Sequence, residues 1–402
     1  MQIKAVLENA QHPEYGQATV PLPIPKEEYD HVIELLAPLE IGSPVERDCK
    51  VEELIGAYPV FCCLEGQQVN VDELDYLMKL ADSFFGGEDA QYQGMAYKLG
   101  LTNITDLINL HFCFRQATVI TDFSDLEAIG KEHYMNLHGG SALVEELENL
   151  DGTETALLLI ADTSATVTPY GVVYDNGMRL EQLYKGKEFP AYAYGPCLMI
   201  MTMTPADKEA APENTSWFFL PAAEQQIRRA MARAGIDEEE AACFRLHENR
   251  LPEEINAVLD LEREVIFELN DLCTAYDRLG LDDQKKLRAV ADQAQPEGAA
   301  EVCRLAENLA LFNFLPDIHT PEEYGRYMIR DSGQFDYDPN LEPFYDFKKY
   351  ALQRIDEEQG RFTEQGYISY HGTQTLEELM REGPAARTQQ EQGSSMEMGG
   401  LS

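Results

Sequence analysis

The feature that most constrains this 402-residue chain is a self-similarity at fixed spacing. The segment Gly171-Val-Val-Tyr-Asp-Asn-Gly177 has a counterpart 195 residues on, in Gly366-Tyr-Ile-Ser-Tyr-His-Gly372. The same spacing relates Glu73, Leu74, Leu77 and Asp82 to Glu268, Leu269, Leu272 and Asp277. It also relates Glu127, Gly130 and Lys131 to Glu322, Gly325 and Arg326, Leu110 to Leu305, and Ile41 to Ile236. One ungapped register held across many segments points to a tandem pair of domain-sized units, not to a solenoid of short repeats. The expected organisation is a first unit over 1–190, a second over 191–382, and a polar, aperiodic, disordered tail over 383–402.

Each unit reads the same way. It opens on β-rich stretches, at 3–7 and 19–22 in the first and 198–202 and 217–220 in the second. A proline-led helix follows, behind Pro25 over 26–36 and behind Pro221 over 222–234, since proline suits a first helical turn. Its apolar residues Tyr29, Val32, Ile33 and Leu36 recur at helical spacing. A helical block comes next, at 71–85, 89–99 and 105–112, then at 264–279, 282–293 and 299–311. A short helix over 124–133 starts on a capping-box pattern, Ser124 with Glu127, and its partner lies over 321–329. Each unit closes on an extended piece, 170–174 and 366–370. The fold class expected is α+β with helices predominating. Residues 189–196 read as a hinge between the units, and 204–214 as a surface loop.

The charge balance bounds the function. There are 72 Asp and Glu against 31 Lys and Arg, a net of -41. Disorder is a poor explanation, because aromatics make up 9% and apolar-periodic stretches are long. An acidic tail is excluded by counting: residues 1–200 hold 32 acids and 11 bases, and residues 201–402 hold 40 acids and 20 bases. Adaptation to high salt is an explanation that one sequence leaves open. A surface this negative repels nucleic acid and anionic membranes and attracts basic clefts, most of which are built for nucleic acid.

Signatures of chemistry are scarce. The chain has no GxGxxG after a strand, no Walker-type GxxxxGK[ST] and no GxSxG. None of the eight histidines forms HExxH or pairs with cysteine at zinc spacing. His138-Gly-Gly reads as a turn, and Trp217 as core. The eight cysteines show no CxxC pair and read as reduced thiols, several of them in cores, of a cytoplasmic protein. Residues 1–10, with Glu8 after a short apolar run, do not read as a signal peptide. No apolar run is long enough to span a bilayer. Carboxylate pairs abound, but among 72 acids they carry no specificity.

What remains is the arrangement of the acids on helix faces and helix starts. The candidate partner-binding residues of the first unit are Glu27, Glu28, Asp30 and Glu34; Asp72, Asp75, Asp82, Glu88 and Asp89; and Asp122, Asp125 and Glu127. Those of the second are Asp237, Glu238, Glu239 and Glu240; Asp271, Asp277, Asp282 and Asp283; and Glu322 and Glu323. Any one cluster is accounted for as a solvated face or as acids favoured by a helix N-terminus. The scarcity of compensating bases is not, because uncompensated repulsion destabilises a fold. At one charge per about 1.7 Å of duplex axis, a net of -41 corresponds to roughly 70 Å of DNA.

Three passages bring a family into view. One is the leucine-patterned acidic helix over 72–84, Asp-Glu-Leu-Asp-Tyr-Leu-Met-Lys-Leu-Ala-Asp-Ser-Phe, repeated over 267–279. Another is Asp125-Leu-Glu-Ala-Ile-Gly130 with its partner Pro321-Glu-Glu-Tyr-Gly325. The third is the closing run from Tyr345 to Ile368-Ser-Tyr-His-Gly372. On these passages, most of residues 1–380 resembles the ArdA antirestriction proteins, which are encoded on conjugative plasmids and transposons. The resemblance implies elongated units built of small α/β and helical subdomains. It also implies a DNA mimic with no catalytic residue, no metal and no cofactor. The implied partner is the modification core of a type I restriction–modification enzyme, with no direct contact to nucleic acid or membrane. The chain departs from the pattern by carrying two units, which suggests a pseudo-dimer within one chain, or pairing of each unit with another chain. Two other classes stay open at this point: an acidic module for another basic protein, histone-like or conjugative, and an enzyme with an unrecognised site.

Overall fold

In the computed structural model, which describes residues 3–161, 165–174, 177–237, 242–260 and 263–381, the opening strands follow from simple alternation. β1 (Ile3–Asn9) and β2 (Gln17–Leu22) pair antiparallel, with Ile3 opposite Leu22 and Ala5 opposite Val20, all four buried. Then come α1 (Tyr29–Leu36), β3 (Cys49–Ile55) on the far side of β1, and β4 (Gln68–Val69), giving the order β2-β1-β3-β4. The helical layer is α2 (Val71–Asp82), α3 (Glu88–Leu99) and α4 (Ile104–His111). Beyond it lie β5 (Thr118–Ile120), α5 (Leu126–Leu137), α6 (Val144–Asn149), α7 (Gly152–Ile160), β6 (Thr166–Thr168) and β7 (Gly171–Tyr174). The three strands form a second sheet, β5-β7-β6.

The rest of the chain continues with β8 (Met199–Pro205), β9 (Ser216–Leu220), α8 (Glu224–Ala234), β10 (Ala242–Asn249) and α9 (Glu253–Asn256). The helices α10 (Ile266–Arg278), α11 (Leu281–Ala294) and α12 (Ala299–Glu307) follow. Last come β11 (Phe312–Pro316), α13 (Pro321–Arg326), α14 (Phe347–Glu358), β12 (Arg361–Thr363), β13 (Gly366–Tyr370) and α15 (Leu376–Arg381). Two more sheets result, β10-β8-β9 and β11-β13-β12. The class is mixed α+β with helices predominating.

The 195-residue spacing reappears in backbone pairing. Thr166, Val167 and Thr168 face Val173, Val172 and Gly171; Arg361, Phe362 and Thr363 face Ile368, Tyr367 and Gly366. Thr118 and Ile120 face Tyr174 and Val172, as Asn313 and Leu315 face Ser369 and Tyr367. The matched glycines have a steric reason. Gly171 and Gly366 sit at φ of 135° and 137°, where a Cβ would press on the carbonyl oxygens of Ile120 and Leu315. Gly130 and Gly325 lie where α5 meets α7 and α13 meets α14; a Cβ there would collide with the carbonyl oxygens of Gly152 and Phe347. Two small cores beneath these helices use corresponding positions, Ile129 and Ala156 in one, Tyr324 and Ala351 in the other.

The chain divides into two compact units. One comprises Met1–Pro196, Thr202–Phe218 and Ala222–Arg245, the other Cys197–Met201, Phe219–Pro221 and Leu246–Ser402. Helix α8, which follows the start of the second half of the sequence, therefore belongs to the first compact unit. Its large core joins β1, α1 and the helical layer through Leu7, Leu36, Leu74, Tyr92, Leu107 and Phe114.

Several expectations are adjusted. The stretch expected as a hinge is fastened to α2: Phe189 stacks on Tyr76 at 4.5 Å, Tyr76 Oη donates to the Pro190 carbonyl at 2.8 Å, and Tyr194 Oη donates to Asp82 at 2.7 Å. The cap of α5 is Asp125, which accepts from Ala128 N–H at 3.0 Å; Ser124 bonds back to Asp122, and Glu127 is drawn to Lys131 and to Thr153 N–H. Expected loop 204–214 retains only the end of β8 and a short 3-10 turn, Pro212–Asn214. Trp217 is half-buried on β9. The expected tail over 383–402 lies outside the described residues.

Candidate acidic interface

The acids divide by what their helix packs against. At the entry to α1, Glu27 and Glu28 lie in a 3-10 turn and are exposed, as is Glu34 one helical turn into α1. Asp30 is half-buried, and its carboxylate accepts from the Gln225 backbone N–H at 3.1 Å, at the start of α8. Asp82, Asp122, Asp125, Glu127, Asp237, Asp271, Asp277, Asp282, Asp283, Glu322 and Glu323 are exposed. Glu127 and Glu322 make i,i+4 pairs with Lys131 and Arg326, at 2.8 and 3.5 Å, which are worth little in water. Asp89 and Glu88 are half-buried, and Arg115 Nε lies 2.5 Å from Glu88. Glu238, Glu239 and Glu240 lie outside the described residues.

Asp72 and Asp75 do not belong to an exposed face, which corrects the expectation from sequence. Both are buried, Asp72 at 6% exposure. Asn70 caps α2, accepting from Asp72 and Glu73 N–H in a capping box, and this fixes the first turn beneath other elements. Arg229 Nε lies 3.1 Å from both Asp72 oxygens, Arg233 lies 2.5 Å away, and Tyr29 Oη donates to the same carboxylate. Arg229 also donates to the Gly42 carbonyl at 2.6 Å and to the Ser43 carbonyl at 3.3 Å. Burial pushes the Asp72 carboxyl up, and the charges of Arg233 and Arg229 more than reverse it, leaving it below the usual carboxylate range. Neighbouring Glu73 pairs with Arg47 at 2.5 Å and accepts from Tyr184 Oη at 2.8 Å. Asp75 accepts from Ile24 N–H at 2.7 Å and pairs with Lys79 at 2.6 Å, yet burial still leaves its carboxyl raised.

The partners of Asp72 and Asp75 in this cluster are not among the residues the sequence points to, although a signal exists. Arg228, Arg229 and Arg233 crowd onto one helix of a chain poor in bases. Arg229 and Arg233 serve the buried Asp72 carboxylate, since a buried charge must be paired, while Arg228 pairs with exposed Glu224. The consequence for the surface is direct. Arg229, Arg233, Arg47 and Lys79 are committed to inward-facing acids, so they neutralise none of the exposed ones.

Among the described residues no group of three or more His, Cys, Asp or Glu could hold a metal ion, and no helix is long and apolar enough to cross a membrane. His138 closes α5 at the Gly139–Gly140 turn, its ring against Tyr134 at 4.3 Å and its Nδ1 2.7 Å from the Tyr134 carbonyl. Among the described residues no disulfide forms, and Cys49, Cys113, Cys197 and Cys273 are buried thiols. Compared with known proteins, the sequence matches no protein-family model and no curated relative.

Proposed function

We propose that the chain is an acidic mimic of DNA, an antirestriction protein of the ArdA type. It binds type I restriction–modification enzymes at the modification core and blocks them by occupying their DNA-binding groove. The observation that carries this reading is the combination of a net charge of -41 with the inward commitment of Arg47, Arg229, Arg233 and Lys79. Exposed carboxylates in both halves are left to meet the Lys and Arg of a target groove as phosphates do. In this reading no side chain is catalytic, no cofactor takes part, and binding is spread over many acids.

The two halves, 1–190 and 191–382, act as a tandem pair. Support comes from the shared strand registers and from the meeting of α1 with α8. Asp30 and Gln225 stand 195 residues apart and contact each other. Contact between equivalent positions is the mark of a two-fold relation between two copies of one surface. This contact supports the reading of a pseudo-dimer within one chain.

The test is cleavage of unmodified DNA by a purified type I restriction enzyme, with the protein titrated in at two salt concentrations and polyglutamate as control. Stoichiometric inhibition that weakens with salt and is not reproduced by polyglutamate is expected. Absence of inhibition at micromolar excess across several enzyme families overturns the reading in favour of another basic partner.

A further inference from the structure

Helix α7 is apolar on two sides. On one side Ala156 and Leu159 are buried against α5 and the second sheet. The other side presents Leu157 and Leu158, 54% and 69% exposed. Just ahead of it, α6 buries none of its residues, and Leu143 and Val144 at its start are more than two-thirds exposed. A single exposed apolar residue is ordinary. A helix apolar on opposite sides is normally covered on both.

The face is fixed from behind. Asp151 accepts from the Glu154 N–H at 2.8 Å, and Glu127 on α5 accepts from the Thr153 N–H at 3.0 Å. A side chain presented on a stiff element loses little freedom when a partner docks. Sealing two such leucines from water is worth roughly a ten- to hundredfold gain in affinity.

The second half repeats the helix with a different charge. Gly130 meets the Gly152 carbonyl as Gly325 meets that of Phe347, which sets α14 in register with α7 at the 195-residue spacing. Ala156 and Ala351 are both buried, and Leu157 and Leu352 are both exposed by just over half. Glu154, however, corresponds to Lys349, with Lys348 beside it. Between Arg115 and Arg179 the chain holds eleven acids and one base, Lys131, which lies 2.8 Å from Glu127. Arg115 itself is committed to Glu88. The matched stretch 311–373 holds twelve acids and six bases.

This imbalance selects the occupant of the α7 face. A second copy brings an excess of acids in either half and is repelled, as is an anionic membrane surface. A cationic amphipathic helix satisfies both parts of the face. Its apolar stripe meets Leu157 and Leu158, and its Lys and Arg meet exposed Glu145, Glu146, Glu148 and Glu154. We infer that α7, with the start of α6, is a docking face for a cationic amphipathic helix of a partner protein, and that Lys348 and Lys349 oppose the same docking on α14. The inference stands apart from the mimic reading, which uses charge alone.

The experiment uses the full chain and two synthetic helical peptides of equal positive charge. One carries leucine at helical spacing, and the other carries glutamine in those places. Binding is measured by calorimetry at two salt concentrations for the unaltered chain, Leu157→Gln/Leu158→Gln, Glu154→Lys and Leu352→Gln, with thermal unfolding alongside. The unaltered chain is expected to prefer the leucine peptide by about tenfold or more at both salts. Leu157→Gln/Leu158→Gln is expected to lose that preference with Tm unchanged, and Leu352→Gln to keep it. Glu154→Lys is expected to weaken the leucine peptide by about threefold or more. Equal binding of the two peptides by the unaltered chain, or a preference that survives in Leu157→Gln/Leu158→Gln, overturns the inference. Light scattering of the chain without peptide covers the remaining occupant: a self-associated species that Leu157→Gln/Leu158→Gln dissociates gives the face to a second copy and overturns it too.

Discussion

Arg229 holds its Nε 3.1 Å from each carboxylate oxygen of Asp72, tying the first turn of α2 to a helix that lies 157 residues further along the chain. The pair is buried on both sides, and Arg233 and Tyr29 complete the shell around the carboxylate. It is the point at which two distant stretches of sequence become one packed unit.

Removing one partner leaves a buried charge without compensation. Arg229→Ala is therefore expected to destabilise the first compact unit by about 3–5 kcal/mol, and Asp72→Ala by a similar amount. Denaturant unfolding of both single variants and the double variant closes the cycle. Losses that simply add, with no coupling, would contradict a shared pair.

Surface acids are expected to behave differently. Glu27→Gln, Glu28→Gln and Glu34→Gln should each change inhibition of a type I enzyme by no more than about threefold, as rim charges do. The triple variant should lose about tenfold or more and show a shallower salt dependence, by up to about one unit of slope for each carboxylate neutralised. A single carboxylate whose loss abolishes inhibition in a folded protein would overturn mimicry by many charges.

The close helix crossings give a steric prediction in duplicate. Gly130→Ala drives a methyl into the Gly152 carbonyl, and Gly325→Ala into that of Phe347. Each is expected to cost at least about 3 kcal/mol, since backbone must move. Gly280→Ala, which meets nothing within 4 Å, is the contrast and should cost no more than about 1 kcal/mol, the effect of alanine at the N-cap of α11. Equal tolerance at all three positions in thermal unfolding would contradict the crossings.

His111 makes stability depend on pH. It lies in an aromatic nest with Phe84, Phe114 and Tyr192, and its Nδ1 is buried without a partner. Burial, then the Arg115 charge, lowers its pKa from 6.5 to about 4. The folded state thus resists protonation that the unfolded chain accepts. The stabilisation is fully present above pH 6.5 and is lost as pH falls from 6.5 to 4, by up to about 3 kcal/mol. His111→Phe should flatten the stability profile across that window. An unchanged slope in that variant would remove His111 from the account.

The sequence by itself determined the spacing of the pattern, the secondary elements that depend on near neighbours, and the overall charge. Capping, glycine at tight crossings and helical periodicity are local constraints, and a 195-residue spacing relates several of the positions that carry them. The pairs Gly130 and Gly325, and Gly171 and Gly366, were legible for that reason. Only the tertiary structure decided which acids face water. Asp72 and Asp75 share a leucine-patterned helix with exposed Asp82, and nothing in their local sequence separates them. For Asp72 the separation comes from α8, whose Arg229 and Arg233 arrive from far along the chain and compensate its buried charge; Asp75 is covered by the segment that brings the Ile24 N–H to it and is paired with Lys79. Exposure of a charge is a property of what packs over it, and packing between distant segments is not written in the spacing of either one.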